Sequence, residues 1–110
     1  MKQYVVDELR PEDHEKLKGY LEATLQSSGV DALYWVPILP ELLNEIQAAH
    51  TGCQPFYFAL ELEPDRLCCE FLVRTKTRVR CNCMTYATEK QRNWLIETVD
   101  AIFTKLEIIT

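Results

Sequence analysis

Three runs of alternating apolar and polar residues lie between residues 56 and 85, and they constrain the fold more than any other feature of the sequence. The runs are Phe56–Leu62, Leu67–Val73 and Val79–Thr85. A period of two residues is typical of β-strands with one buried face. Pro64-Asp65 is a turn signal between the first two runs, and Thr75-Lys76-Thr77 separates the second run from the third. The pattern therefore predicts a three-stranded antiparallel β-meander.

The register of the meander can also be predicted, because a slip of one residue would move every side chain to the opposite face. If the first hairpin closes on Pro64-Asp65, the facing pairs are Leu62 with Leu67, Leu60 with Cys69, Phe58 with Phe71 and Phe56 with Val73. If the second hairpin closes with Arg74 opposite Arg78, the facing pairs are Val73 with Val79, Phe71 with Cys81, Cys69 with Cys83 and Leu67 with Thr85. These registers collect the large apolar side chains on one face, which we expect to pack on helices.

Three other segments have helical spacing of apolar residues. We expect helices at residues 11–28, 40–50 and 89–108, of which the last has the longest apolar stripe. Pro11 and Pro40 suit the first position of a helix, and Thr88 is a good N-cap. Gln3–Val6 is a short apolar run that predicts either a further strand or an irregular segment, and residues 30–39 are expected to form an ordered connector. The predicted fold class is α+β, a single domain in the order ααβββα whose meander packs on the helices by one face.

Composition narrows the classes of function. The 110 residues suffice for one domain with one core, and the net charge is −5. Residues 31–65 contain six acidic and no basic side chains, whereas residues 66–110 are net positive. The overall acidity argues against bulk attraction to DNA or anionic lipid. No apolar run is long enough to cross a membrane and no export signal is visible, so we expect a cytoplasmic protein.

The five cysteines permit a metal site as one alternative. Cys69, Cys81 and Cys83 share the predicted inner face, and Cys53 or His50 could supply a fourth ligand. Structural zinc sites commonly use Cys-x-x-Cys turns, which this sequence lacks. Cysteine also serves as a small core hydrophobe, so we expect free thiols, no metal and no other cofactor.

A basic hairpin gives a second alternative. Arg74, Lys76, Arg78 and Arg80 cluster at the predicted second turn and could contact phosphates of a nucleic acid. Charged residues also keep an edge strand soluble, which is the simpler interpretation.

Interaction with other proteins is the leading hypothesis. The outer face of the meander is more apolar than a solvated face, because it includes Tyr57, Leu72 and Met84. Tyr34 and Trp35 precede two prolines and could form an exposed apolar patch, with burial of Trp35 in the core as the alternative. Phe56–Leu62 would be an apolar edge strand unless another segment covers it. No catalytic motif is present. We therefore expect a non-enzymatic interaction module that binds a second copy of itself or another protein.

Overall fold

The computed structural model describes residues 2–27, 32–75 and 84–109, which form an α+β fold of helices and an antiparallel sheet. The elements in chain order are β1 (Gln3–Val6), α1 (Pro11–Thr24), β2 (Gln26–Ser27), β3 (Leu33–Pro37), α2 (Glu45–Ala49), β4 (Phe56–Leu62), β5 (Leu67–Glu70), β6 (Arg74–Thr75) and α3 (Glu89–Lys105). Short 3-10 turns at Pro40–Leu42 and Thr51–Cys53 flank α2.

The strands are ordered β1-β5-β4-β3-β2, and β6 pairs with the start of β4. β4 is therefore a central strand: Phe56–Leu62 was expected to form an edge unless another segment covers it, and another segment does. The segment that covers it is β3, which lies in the predicted connector and pairs Tyr34 with Leu60 and Val36 with Phe58. The sequence Leu-Tyr-Trp-Val of β3 is rich in residues that favour strands, although the prolines beside it obscured that signal.

The predicted register of the first hairpin is confirmed near its turn, where Leu62 pairs with Leu67 and Leu60 with Cys69. Farther from the turn it is wrong, because Phe56 pairs with Thr75 rather than with Val73. The predicted pair of Phe58 with Phe71 is lost for the same reason: residues 71–73 leave the β4 ladder. The offset is even, so the alternation of faces is preserved and both Phe71 and Val73 remain in the core.

β1 lies along β5 on the side where the third strand was expected, and it pairs Val6 with Leu67 and Tyr4 with Cys69. The predicted pair of Leu67 with Thr85 is therefore wrong. Thr85 accepts a hydrogen bond from the Val73 amide at 2.9 Å, and the following Tyr86 forms a bridge with Leu72. At this point the chain therefore pairs with the end of the second run. The predicted pairs that involve Val79, Cys81 and Cys83 lie outside the described residues.

Two of the three predicted helices, α1 and α3, begin where local chemistry predicts but end earlier. α1 starts at Pro11 and ends at Thr24 instead of residue 28, because Leu25 is extended and the chain enters β2. The predicted helix at residues 40–50 is broken, because Leu43 and Asn44 are extended and Asn44 caps the short α2. α3 begins after the Thr88 cap and ends at Lys105 rather than residue 108.

The core lies between the helices and one face of the sheet. Leu17 and Leu21 of α1 and Leu95, Val99 and Phe103 of α3 pack on that face, whose buried side chains include Phe56, Phe58, Leu60, Leu62, Leu67 and Cys69. This inner face is the one that the alternation predicts. Within the described part of the chain, no helix has both the length and the apolar character needed to cross a bilayer.

Candidate interaction surface

The outer face of the sheet holds two of the predicted interaction residues in mutual contact. The rings of Trp35 and Tyr57 meet edge to face, with centroids 5.9 Å apart. Trp35 is half-buried, and Tyr57 is buried with 8% of its surface exposed. Tyr57 faces Arg74 in the neighbouring strand, not Leu72 as predicted. These aromatic rings therefore offer less free surface to a partner than the sequence pattern implies.

The other three predicted interaction residues do not join this aromatic pair. Tyr34 belongs to the inner face, where it is buried, so its assignment to an exposed patch is wrong. Leu72 is half-buried at the bridge to Tyr86. Met84 is half-buried and packs against the core cluster.

A cavity of about 240 Å³ lies beside Tyr57 and is lined by Thr24, Leu25 and Pro37.

The three described cysteines are all buried, but they lie at different places in the fold. Cys69 lies on the inner face, where burial raises the pKa of its thiol. Cys68 lies on the outer face, and burial together with the nearby Glu63 carboxylate raises its pKa to about 11. Cys53 is buried in the 3-10 turn before β4. Among the residues that the structure describes, no group of three His, Cys, Asp or Glu side chains could hold a metal ion.

The remaining candidates are placed as follows. His50 is at the C-terminal end of α2, with Nδ1 2.6 Å from the Ile46 carbonyl oxygen. Arg74 forms an ion pair with Glu70 at 3.1 Å. Cys81, Cys83, Lys76, Arg78 and Arg80 lie outside the described residues.

A surface that the sequence analysis did not select is the outer edge of β1. The Phe71 amide donates to the Lys2 carbonyl at 2.9 Å, so Lys2, and with it Tyr4 and Val6, direct their main-chain groups toward β5. Gln3 and Val5 alternate with them and direct their N–H and C=O groups away from the sheet. No strand in the described part of the chain pairs with β1 on that side.

A groove of about 330 Å³ runs beside β1 on the helix side of the sheet. It is lined by Tyr4 and Val6 of β1, by Asp100, Phe103 and Thr104 of α3, and by Ile108 and Ile109. Ile109 is 88% exposed, which is the highest value among the exposed large apolar side chains that the structure describes. The groove therefore places apolar surface next to the outward main-chain groups of β1. We call this combined surface, the outer edge of Gln3–Val6 with the groove, the β1 edge.

Polar contacts hold the β1 edge in place. The Tyr4 hydroxyl donates to Asp100 Oδ1 at 2.7 Å, and this bond, with partial burial, raises the pKa of Tyr4 to about 12. The Lys2 ammonium lies 4.6 Å from the centre of the Tyr86 ring. Both contacts join β1, or the residue just before it, to residues that are distant in sequence. They hold the strand against the rest of the fold. The sequence signal for such an edge is weak: four residues without proline or charge, flanked by Lys2 and Asp7.

Comparison with known proteins adds no constraint: no family model, no curated protein and no solved structure matches this chain.

Proposed function

We propose that the chain is a small cytoplasmic protein–protein interaction module that binds its partner through the β1 edge. The observation that carries this proposal is the position of β1 at one end of the sheet that the described residues form, with the main-chain groups of Gln3 and Val5 directed outward. An exposed edge strand can accept an added strand through backbone hydrogen bonds, while pockets for alternate side chains give specificity.

The composition of β1 supports this role. Natural proteins commonly protect edge strands with proline, bulges or charges within the strand. Gln3–Val6 contains neither proline nor charge, and the charged Lys2 and Asp7 only flank it. The opposite end of the sheet is formed by β2, which has two residues. Of the two described ends of the sheet, β1 is thus the better template for an added strand.

The groove supplies apolar surface for a partner to bury, which backbone hydrogen bonds alone do not. Exposed backbone groups are already hydrogen-bonded to water, so exchanging water for a partner contributes little net free energy, about 0.5–1.5 kcal/mol per bond. Burial of apolar side chains is the larger favourable contribution to most protein associations. Val6, Phe103 and the exposed Ile109 line the groove immediately beside β1. A partner strand could therefore bury apolar surface and form backbone hydrogen bonds at the same time.

Photo-crosslinking in living cells tests the proposal. Gln3, which is exposed on β1, is replaced by a photoreactive phenylalanine analogue; the matched control replaces Lys90, which is exposed at the other end of α3 from the groove. We expect covalent adducts from position 3 and none from position 90. Absence of adducts at position 3, or equal adducts at both positions, would overturn the proposal.

A proline substitution checks that any adduct depends on strand addition. Val5→Pro removes an N–H that points away from the sheet, so the hydrogen bonds between β1 and β5 remain. We expect Val5→Pro to abolish the adducts with little change in Tm. The contrasting variant is Tyr4→Pro, which removes an N–H directed at β5 and should lower Tm. Adducts that persist in Val5→Pro would assign the contact to another surface.

A further inference from the structure

We infer that the strand added at the β1 edge is β1 of a second copy of this chain, antiparallel to the first and related to it by a twofold axis at Val5. The inference rests on the proposed function and names the partner of the same surface. Two identical strands paired antiparallel form a closed, self-complementary interface, which is the commonest arrangement in homo-oligomers.

The charges around β1 favour this occupant and this direction. Lys2 precedes the strand, and Asp7 and Glu8 follow it; all three are exposed. An antiparallel second copy brings the basic start of each strand beside the acidic end of the other. A parallel copy would place like charges together, which is unfavourable across a strand pair. The edge is therefore complementary in charge to itself.

The faces of the sheet restrict the register. A twofold axis that relates neighbouring antiparallel strands is perpendicular to the sheet, so the helices of both copies lie on the same side. Each residue must then face a partner residue of the same parity. A register centred on Val5 places Gln3 opposite the partner's Asp7 and Tyr4 opposite the partner's Val6.

The register centred on Val5 also uses the most hydrogen-bonding groups. With the alternation of β1 continued by one residue to Asp7, this register engages the outward main-chain groups of Gln3, Val5 and Asp7, whereas a register centred on Tyr4 engages those of Gln3 and Val5. On the helix side, the partner's Val6 lies against Tyr4 at the groove that Phe103 and Ile109 also line. Backbone pairing and burial of apolar side chains therefore favour the same arrangement.

The interface is small, so the dimer should be in reversible equilibrium with the monomer. A stable complex commonly buries about 800 Å² on each partner, which is more than one four-residue strand and a shallow groove supply. We expect a dissociation constant on the order of 10 µM. The dimer would then form only at high local concentration of the chain.

Sedimentation equilibrium of the purified full chain over about 1–200 µM tests the inference. Gln3→Asp places two carboxylates opposite each other, and the twofold axis makes this happen twice in each dimer. We expect Gln3→Asp to raise the dissociation constant about fivefold. Adding Asp7→Lys turns each repulsive pair into an attractive one and should restore the wild-type value to within about twofold. Asn93→Asp, which adds the same charge at an exposed position of α3, is the matched control and should change nothing.

The possible results distinguish the proposed function from the second-copy inference, and the register centred on Val5 from other registers. A purified chain that stays monomeric, or a dimer insensitive to both Gln3→Asp and Val5→Pro, overturns the inference. If the chain is monomeric while position 3 forms edge-dependent adducts with other proteins in cells, the proposed function stands and the second-copy inference fails. Weakening by Gln3→Asp without rescue by Asp7→Lys overturns the register centred on Val5.

Discussion

Gln91 allows the sharpest test of how the helices are held together. Its side chain is fully buried at the start of α3, where Oε1 accepts from the Thr88 amide at 3.0 Å. Its Nε2 donates to the Leu42 carbonyl at 2.8 Å and to Gln47 Oε1 at 2.9 Å. Gln47 is itself the buried third residue of α2 and shares Oε1 with the Asn44 amide. Two helix caps are thus joined through one pair of buried amides.

Gln91→Glu keeps the shape of this side chain but removes both donor hydrogens. The partly buried Leu42 carbonyl and the buried Gln47 Oε1 then each lose a donor, at a cost of about 1–3 kcal/mol apiece. Rotation of the Gln47 amide does not repair the loss, because its oxygen is needed by Asn44. A negative charge at a helix N-terminus contributes only about 0.3–1 kcal/mol in favour. We therefore expect a net destabilisation of about 3 kcal/mol at pH 7.

The pH dependence gives a second measure of the same effect. Burial beside two oxygen atoms should raise the folded-state pKa of the introduced carboxyl above about 4.3, its ordinary value. The folded variant then binds the proton more tightly than the unfolded chain does. Its stability must fall as pH rises from about 4.3 toward the raised pKa, and must level off above that pKa. The destabilisation caused by Gln91→Glu is therefore smallest in acid.

Urea unfolding followed by circular dichroism at several pH values measures both effects. Gln91→Met removes the same donors without a charge, so it should be destabilised without the added pH dependence. Glu89→Gln is the surface control: it changes charge by one unit at an exposed residue of the same turn and should stay within about 0.5 kcal/mol of wild type. A wild-type midpoint for Gln91→Glu at pH 7, or stability that increases with pH in the stated window, would refute this account of the buried amides.

Three further predictions follow from buried groups. Because burial and Glu63 raise the pKa of Cys68 to about 11, native Cys68 should be alkylated at pH 8 much more slowly than an ordinary cysteine, and Glu63→Gln should speed the reaction, as measured by mass-spectrometric mapping. The Arg10 guanidinium lowers the pKa of the Asp13 carboxyl, so its stabilisation is present above about pH 4 and is lost as pH falls through the folded pKa; Asp13→Asn should be less stable at pH 7 and converge with wild type in acid, as followed by circular dichroism. Phe58→Ala should cost about 3–5 kcal/mol in urea unfolding, because Phe58 is fully buried in the core.

Much of the fold could be predicted where neighbouring residues carry the signal. Alternation located β4 at Phe56–Leu62 and the register next to its turn, and the apolar run at Gln3–Val6, for which a strand was one of two alternatives, forms β1. Pro11 and the Thr88 cap marked where two helices start. Each of these signals depends on residues within a few positions of one another. The elements that these signals predict form in the folded protein because the packing of the core is compatible with them.

The candidate site could not be predicted in the same way. Tyr57 was selected on the predicted outer face and Trp35 as part of an apolar patch in the connector. Both lie on the outer face, but their rings bury one another in part. The β1 edge was missed, because its functional groups are backbone N–H and C=O groups that every residue other than proline carries. These groups are available for binding only where no other strand pairs beside them. No residue type indicates which strand that will be.

By itself, the sequence determined the α+β class, the inner face of β4 and β5, and the starts of α1 and α3, because periodicity and capping act between residues close in the chain. Only the tertiary structure decided that β3 covers β4, that β1 pairs with β5 on the side expected for the third strand, and that β1 forms an end of the described sheet. The physical reason is that strand order is set by competition among distant segments for the same main-chain hydrogen bonds. Those bonds have nearly the same chemistry whichever segment supplies them, so the outcome depends on the combined burial of side chains across the whole core.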